Sequence, residues 1–230
     1  RSVKRKKQLE NGAIHPYVSP PLQIILKALH AIKTHNFLQI VHQTEMKETQ
    51  ERASVLLANL LKKTAGNLNH SLMKHRVASH YLEVAIPLFD SDQFFEIYNS
   101  QFRGKLLILS QHKSANFVVQ KMISSVTSAP LAGLIVTELI DHLGEMLNSH
   151  SGIISSLLEV AVRFVDHQKQ LHANLFKIVL GKQHSQPMLF ATILAKKLIP
   201  KKDGTLFHFS SILLQLLHFS INYAQQIASS

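Results

Sequence analysis

A chain of 230 residues that is 46% hydrophobic is long enough to bury a sizeable apolar interior and too apolar to stay disordered. Its 25 Lys and Arg against 14 Asp and Glu give a formal charge of +11, a physical reason to expect a polyanionic partner held by salt-sensitive attraction. With no cysteine, disulfides, thiolate catalysis and cysteine zinc sites are excluded together, while the compartment stays open.

The charge is unevenly placed. Arg1, Lys4, Arg5, Lys6 and Lys7 form a basic head that suits a nuclear-import signal, a phosphate-binding arm or a solubilising tail. The lead-in "NGAIHPYVSPP" is punctuated by glycine and three prolines, so residues 1–20 read as a basic irregular segment and 21–230 as an α-helical domain. Helical periodicity begins near Pro21 with Ile24, Ile25, Leu26 and Leu29. It returns in "ERASVLLANLLKKTAG", where Val55, Leu56, Leu60 and Leu61 recur at helical spacing before Gly66. Further helices are predicted over 76–88, 91–99, 102–109, 114–127, 130–148, 152–165, 169–180, 187–198 and 206–226. Breaks such as "FDSD", "TSAP" and "GKQHSQP" separate them, and no stretch sustains strand alternation. No apolar run reaches membrane-spanning length and no signal-peptide pattern opens the chain, so a soluble intracellular protein without membrane contact is expected.

Internal repetition separates a compact bundle from a repeat array. "HRVASHYLEVAI" from His75 aligns with "HKSANFVVQKMI" from His112 at an offset of 37, placing Ala78 with Ala115 and Glu83 with Gln120. The same step again reaches "HSGIISSLLEV", with Gly152 at the small position. Three short helices fit one period, a unit that cannot bury its own apolar face and must stack on its neighbours. The clearest repeats fall around 68–104, 105–141 and 142–180. Gly152 and Ser210 are 58 apart, so divergent repeats follow.

Positions i and i+4 share a helix face, so Asn116 and Gln120 can approach one ligand together with Phe117 beside them. Ala115, Val118, Val119, Met122 and Ile123 supply the buried sector. Lys113, Lys121 and Arg76 are candidate phosphate contacts. At the third register Ile153, Ile154 and Leu157 replace any polar pair, so a structural repeat is expected there. Enzyme chemistry finds little support. There is no His-Glu-x-x-His helix, His167 and His172 stand five apart, and Asp141–His142 has no nucleophile partner. A nucleophile elbow and a glycine-rich phosphate loop are also missing, so no catalysis, metal or cofactor is expected. His75 and His112 recur at helix entrances, where an imidazole serves a cap or an inter-repeat hydrogen bond.

"ANFVVQ" and "ASHYLE" resemble the base-reading second helices of Pumilio-type repeats. The run from "SHYLE" through "RGKL" to "HKSANFVVQ" resembles, more narrowly, the nucleolar protein nine branch, and "SSILLQLLHF" is similar to a repeat helix of that branch. The likeness covers roughly 48–220 and is clearest over 75–123. It implies an all-α fold, a curved right-handed superhelical solenoid of Pumilio-like three-helix repeats. In that family each repeat gives one helix to a concave RNA-binding surface, two side chains reading a base edge and a third stacking. Carried over, Asn116 and Gln120 resemble a uracil-reading pair with Phe117 stacking. Ser79 and Glu83 with His80 resemble the guanine-reading set, and Ser211 and Gln215 with Ile212 an adenine-reading one. The resemblance implies a non-catalytic, monomeric binder of single-stranded RNA, acting on precursor ribosomal RNA in small-subunit biogenesis. It also implies residence in the nucleus and nucleolus, with pre-ribosomal proteins as further partners. Members of the branch have more repeats than 230 residues supply, so a fragment or shortened form is expected. The alternative is a protein-binding scaffold of HEAT or armadillo type, because repeat surfaces also hold peptides. An aromatic ring bracketed by two amides favours RNA.

Overall fold

Proline lacks the amide that a helix interior needs but fits the first turn, where that amide has no partner. Accordingly Pro20 and Pro21 stand in the first turn of the helix Ser19–Thr34, here α1, which begins two residues earlier than periodicity suggests. The computed structural model describes residues 13–34 and 43–180. The basic head and the helices expected at 187–198 and 206–226, with Ser211, Ile212 and Gln215, lie outside the described residues.

After α1 come α2 (Gln43–Asn67), α3 (His70–Lys74), α4 (Arg76–Ala85) and a 3-10 turn at Ile86–Leu88. Next follow α5 (Ser91–Ile97), a π turn at Tyr98–Phe102, α6 (Leu106–Ser110) and α7 (Ala115–Ser124). The described chain then runs through α8 (Ala129–Leu139), α9 (Leu143–Ser149), α10 (Ser151–Arg163) and α11 (Gln168–Leu180). There is no strand among the described residues, as the all-α repeat reading expects. The helix expected over 130–148 is divided by a 3-10 turn at Ile140–His142. Leu139, Ile140, Leu143 and Met146 are all buried across it, so the apolar pattern gives no sign of the break. The helix expected from residue 102 starts at Leu106 instead. Gly104, with φ of 72°, makes a left-handed turn that a helix cannot absorb.

Two compact units divide the chain. The first holds the described residues up to Arg103 together with Lys113–Val118. In it α1 packs on α2 and α4, around Leu26, Leu57, Met73, Leu82 and Tyr81. Tyr81 is a large polar side chain of that core. The Thr64 hydroxyl lies 2.9 Å from Leu60 O and shares a hydrogen bond of 2.7 Å with the Tyr81 hydroxyl. Burial pushes the Tyr81 phenol above its ordinary 10.0, and the Thr64 hydrogen bond offsets only part of that rise.

The second unit holds Gly104–His112 and the described residues from Val119 onward, so α7 gives its first turn to one unit and its remainder to the other. Its helices are short, and a short helix is mostly unsatisfied ends. Neighbouring elements about one repeat away in sequence supply the missing partners. The Glu138 carboxylate, on α8, accepts from Gly104 N at 3.0 Å and Leu106 N at 2.9 Å, closing the entrance to α6. Arg163, ending α10, donates to Val126 O at 2.8 Å and Ser124 O at 2.6 Å, where α7 ends. A guanidinium there satisfies orphan carbonyls and complements the negative end of the helix dipole.

Candidate nucleic-acid interface

The two aligned helices α4 and α7 show the same local construction. Ala78 and Ala115 are wholly buried, and the next residue in each case is nearly so, with Ser79 1% and Asn116 3% exposed. Each of those polar side chains bonds the carbonyl three residues before it. Ser79 Oγ donates to Arg76 O at 3.1 Å, and Asn116 Nδ2 donates to Lys113 O at 2.9 Å. A different chemistry at one register thus makes the same tether. The following residue points outward: the His80 side chain is 61% exposed and Phe117 is 45% exposed. Lone exposed apolar residues are ordinary. What singles out Phe117 is its place between Asn116 and Gln120, at the register where His80 stands between Ser79 and Glu83.

The residue one turn after the tethered one closes each set. Glu83 is partly buried, with Oε1 3.2 Å from His80 Nδ1. Gln120 is also partly buried, and its carboxamide lies against Gly152. Arg76, Lys113 and Lys121 are all exposed, as phosphate contacts need to be. In the third register Ile153, Ile154 and Leu157 are fully buried in α10, so that helix offers no polar pair at the matching positions.

Two histidines at helix entrances, His75 and His150, make structural hydrogen bonds. His75 is the N-cap of α4, its Nδ1 accepting from Val77 N at 3.3 Å and Ala78 N at 3.4 Å. His150 precedes α10 and places Nε2 3.2 Å from Gln111 O, a link between elements rather than a cap. Among the described residues no group of three or more His, Asp or Glu is placed to hold a metal ion. No helix among them is long and apolar enough to cross a membrane. Sequence reading had not found the contact between Gln120 and Gly152. The available signal was glycine standing where the two earlier registers carry alanine.

Short helices recurring every 37 residues, with an outward ring at the matching position of α4 and α7 and a buried Ile154 in the third register, define a helical-repeat protein of the Pumilio type. The family model of the NOP9-like PUF repeat domain matches residues 2–209, and the chain belongs to that family. Nucleolar protein 9 of Mus musculus is 26% identical over 167 residues, 69% of this chain and 26% of the relative. Pumilio homolog 23 of Arabidopsis thaliana is 28% identical over 123 residues, 53% of this chain and 16% of the relative. The chain therefore spans about a quarter or less of the curated relatives it matches. A solved structure of APUM23 with its insert region deleted, with GGAAUUGACGG, superposes with a TM-score of 0.57 at 22% identity. It covers 86% of this chain and 37% of that one, a likeness of fold.

Proposed function

We propose that the chain binds single-stranded RNA through the outward faces of α4 and α7, without catalysing a reaction. The observation that carries this is the repeated set: a tethered polar residue, an exposed ring, and a carboxamide or carboxylate one turn on. Unpaired bases offer both a hydrogen-bonding edge and a π-face, and a set of this kind meets both. Family membership and the RNA sequence accompanying the APUM23 structure support the same ligand. Phe117 and Gln120 meet a base first, while the tether to Lys113 fixes the plane of the Asn116 amide beneath them. We assign α7 to uracil and α4, through Ser79, His80 and Glu83, to guanine. The set Ser211, Ile212 and Gln215 is proposed for adenine on the family pattern.

The finer reading is precursor ribosomal RNA during small-subunit biogenesis, in the nucleolus, with pre-ribosomal proteins nearby. The names Nucleolar protein 9 and Pumilio homolog 23 support it. A binding array at one salt concentration tests the ligand class, comparing short single-stranded RNAs, duplex DNA and an acidic peptide. Preference for particular single-stranded RNAs is expected. Equal binding to duplex DNA, or complete displacement of RNA by stoichiometric acidic peptide, contradicts the proposal and favours a protein-binding scaffold.

A further inference from the structure

Glycine is a poor choice within a helix, because alanine forms helix better and loses less backbone freedom on folding. Gly152 is the second residue of α10, and no left-handed backbone angle calls for glycine there. The two preceding registers carry Ala78 and Ala115 at the aligned position. The space a methyl group would take is already filled. A Cβ on Gly152 would lie 2.6 Å from Gln120 Oε1, 2.7 Å from Nε2 and 2.8 Å from Cδ. The nearest obstacles all belong to one side-chain amide, the far end of a flexible chain, and none is backbone.

From this we infer that Gly152 is a positioning residue for base recognition: it seats the Gln120 carboxamide and so sets which edge that amide offers to RNA. The inference rests on the reading of α7 proposed above. Adding a methyl at 152 displaces the amide and leaves the helices in place, since a terminal amide rotates at far less cost than a packed backbone. Base choice is thereby tied to a residue in the next repeat that touches no base. A helix whose own matching positions, Ile153, Ile154 and Leu157, are buried still contributes to recognition, through its lack of a side chain.

The test uses the whole 230-residue chain as wild type, Gly152→Ala, Gln120→Ala and the double variant. The probes are GGAAUUGACGG RNA and its single-base replacements at one salt concentration. Gly152→Ala should change discrimination at one nucleotide by about two- to tenfold, the size of one hydrogen bond gained or lost. It should do nothing further in the Gln120→Ala background, and the melting temperature should hold or rise. In the free protein, the Gln120 side-chain amide resonances should move while most backbone amides of α7 and α10 do not. An equal effect of Gly152→Ala with and without Gln120 overturns the inference, as does an unmoved Gln120 amide. If Gln120→Ala alters base ratios and Gly152→Ala does not, the inference fails while the reading of α7 stands. If wild type binds none of these RNAs, or Gln120→Ala leaves every ratio unchanged, the reading of α7 fails and the inference with it.

Discussion

Phe117 and Tyr81 place rings of similar size in opposite surroundings. Phe117 is 45% exposed on α7, so its truncation removes little packing from the protein, and on the proposed function it removes much from a stacked base. Phe117→Ala should weaken RNA binding by about 1–3 kcal/mol with little change in base choice and a nearly native melting temperature. Titration of matched RNAs beside thermal melts separates contact from stability. A core role for Phe117 would instead appear as a large loss of melting temperature. Tyr81 is 1% exposed and its hydroxyl shares a hydrogen bond with Thr64 Oγ1. Tyr81→Phe should cost about 1 kcal/mol of stability through the lost hydrogen bond. The pH dependence has a definite sign. The folded pKa lies above the unfolded one, so the stability Tyr81 contributes is complete below the ordinary 10.0 and is lost as pH rises through the higher folded value. Denaturant melts of wild type and Tyr81→Phe should converge as pH climbs through that window. A gap that stays constant there contradicts the assignment. At this scale the sequence showed which residue types share a face, and so found Asn116, Phe117 and Gln120 together. It did not show that Ser79 and Asn116 turn back to a carbonyl three residues earlier, because one-turn spacing constrains direction but not depth.

Helices came through the sequence well where their ends carry local signals and poorly where the signal lies in a distant residue. Asp90 caps α5, accepting from Gln93 N at 2.8 Å, an entrance local in sequence. Helix α3 has a local cap too, Asn69, which accepts from Leu72 N at 2.9 Å. Its five residues are too few to show a period, and no helix was expected there. The entrance to α6 is different. Its cap is Glu138, more than thirty residues on, and Gly104 supplies the left-handed turn that leads into it. Periodicity alone therefore began that helix too early. The division at Ile140–His142 was invisible for a related reason, since a 3-10 turn keeps apolar side chains on nearly the same side. Glu138→Ala should cost about 1 kcal/mol and expose the Leu106 amide to faster hydrogen exchange, with Glu138→Gln recovering part of the protection. Unchanged exchange at Leu106 in Glu138→Ala would show that this carboxylate is not the cap. The 37-residue recurrence was legible because a small residue returns at the same buried helix position, as Ala78, Ala115 and Gly152. Gly152 obeys that rule with the smallest side chain of all, and the reason lies in Gln120 rather than in α10.

For the molecule as a whole, the proposed RNA binding assigns the formal +11 charge the strength of attraction and the helix faces the choice among nucleic acids. Exposed Arg76, Lys113 and Lys121 lie on or beside α4 and α7, and each phosphate neutralised by one of them adds about 0.7 to the salt slope on a single strand. Lys121→Ala should lower that slope by about that amount and weaken all RNAs alike. Removing residues 1–7 should likewise act on every nucleic acid in proportion if the head meets phosphates. Binding that ignores salt would contradict both expectations. Base reading by the face of α7, as proposed, is tested by exchanging its chemistry for that of α4. Ser79 shows that serine fits the tether position and makes the same bond to the carbonyl three residues back, so Asn116→Ser is tolerable to the fold. Asn116→Ser with Gln120→Glu should reduce preference for uracil and move it toward guanine, measured with RNAs differing at one base, at one salt concentration, on a variant of native-like melting. Affinity and base preference both unchanged in that variant would contradict base reading by this helix.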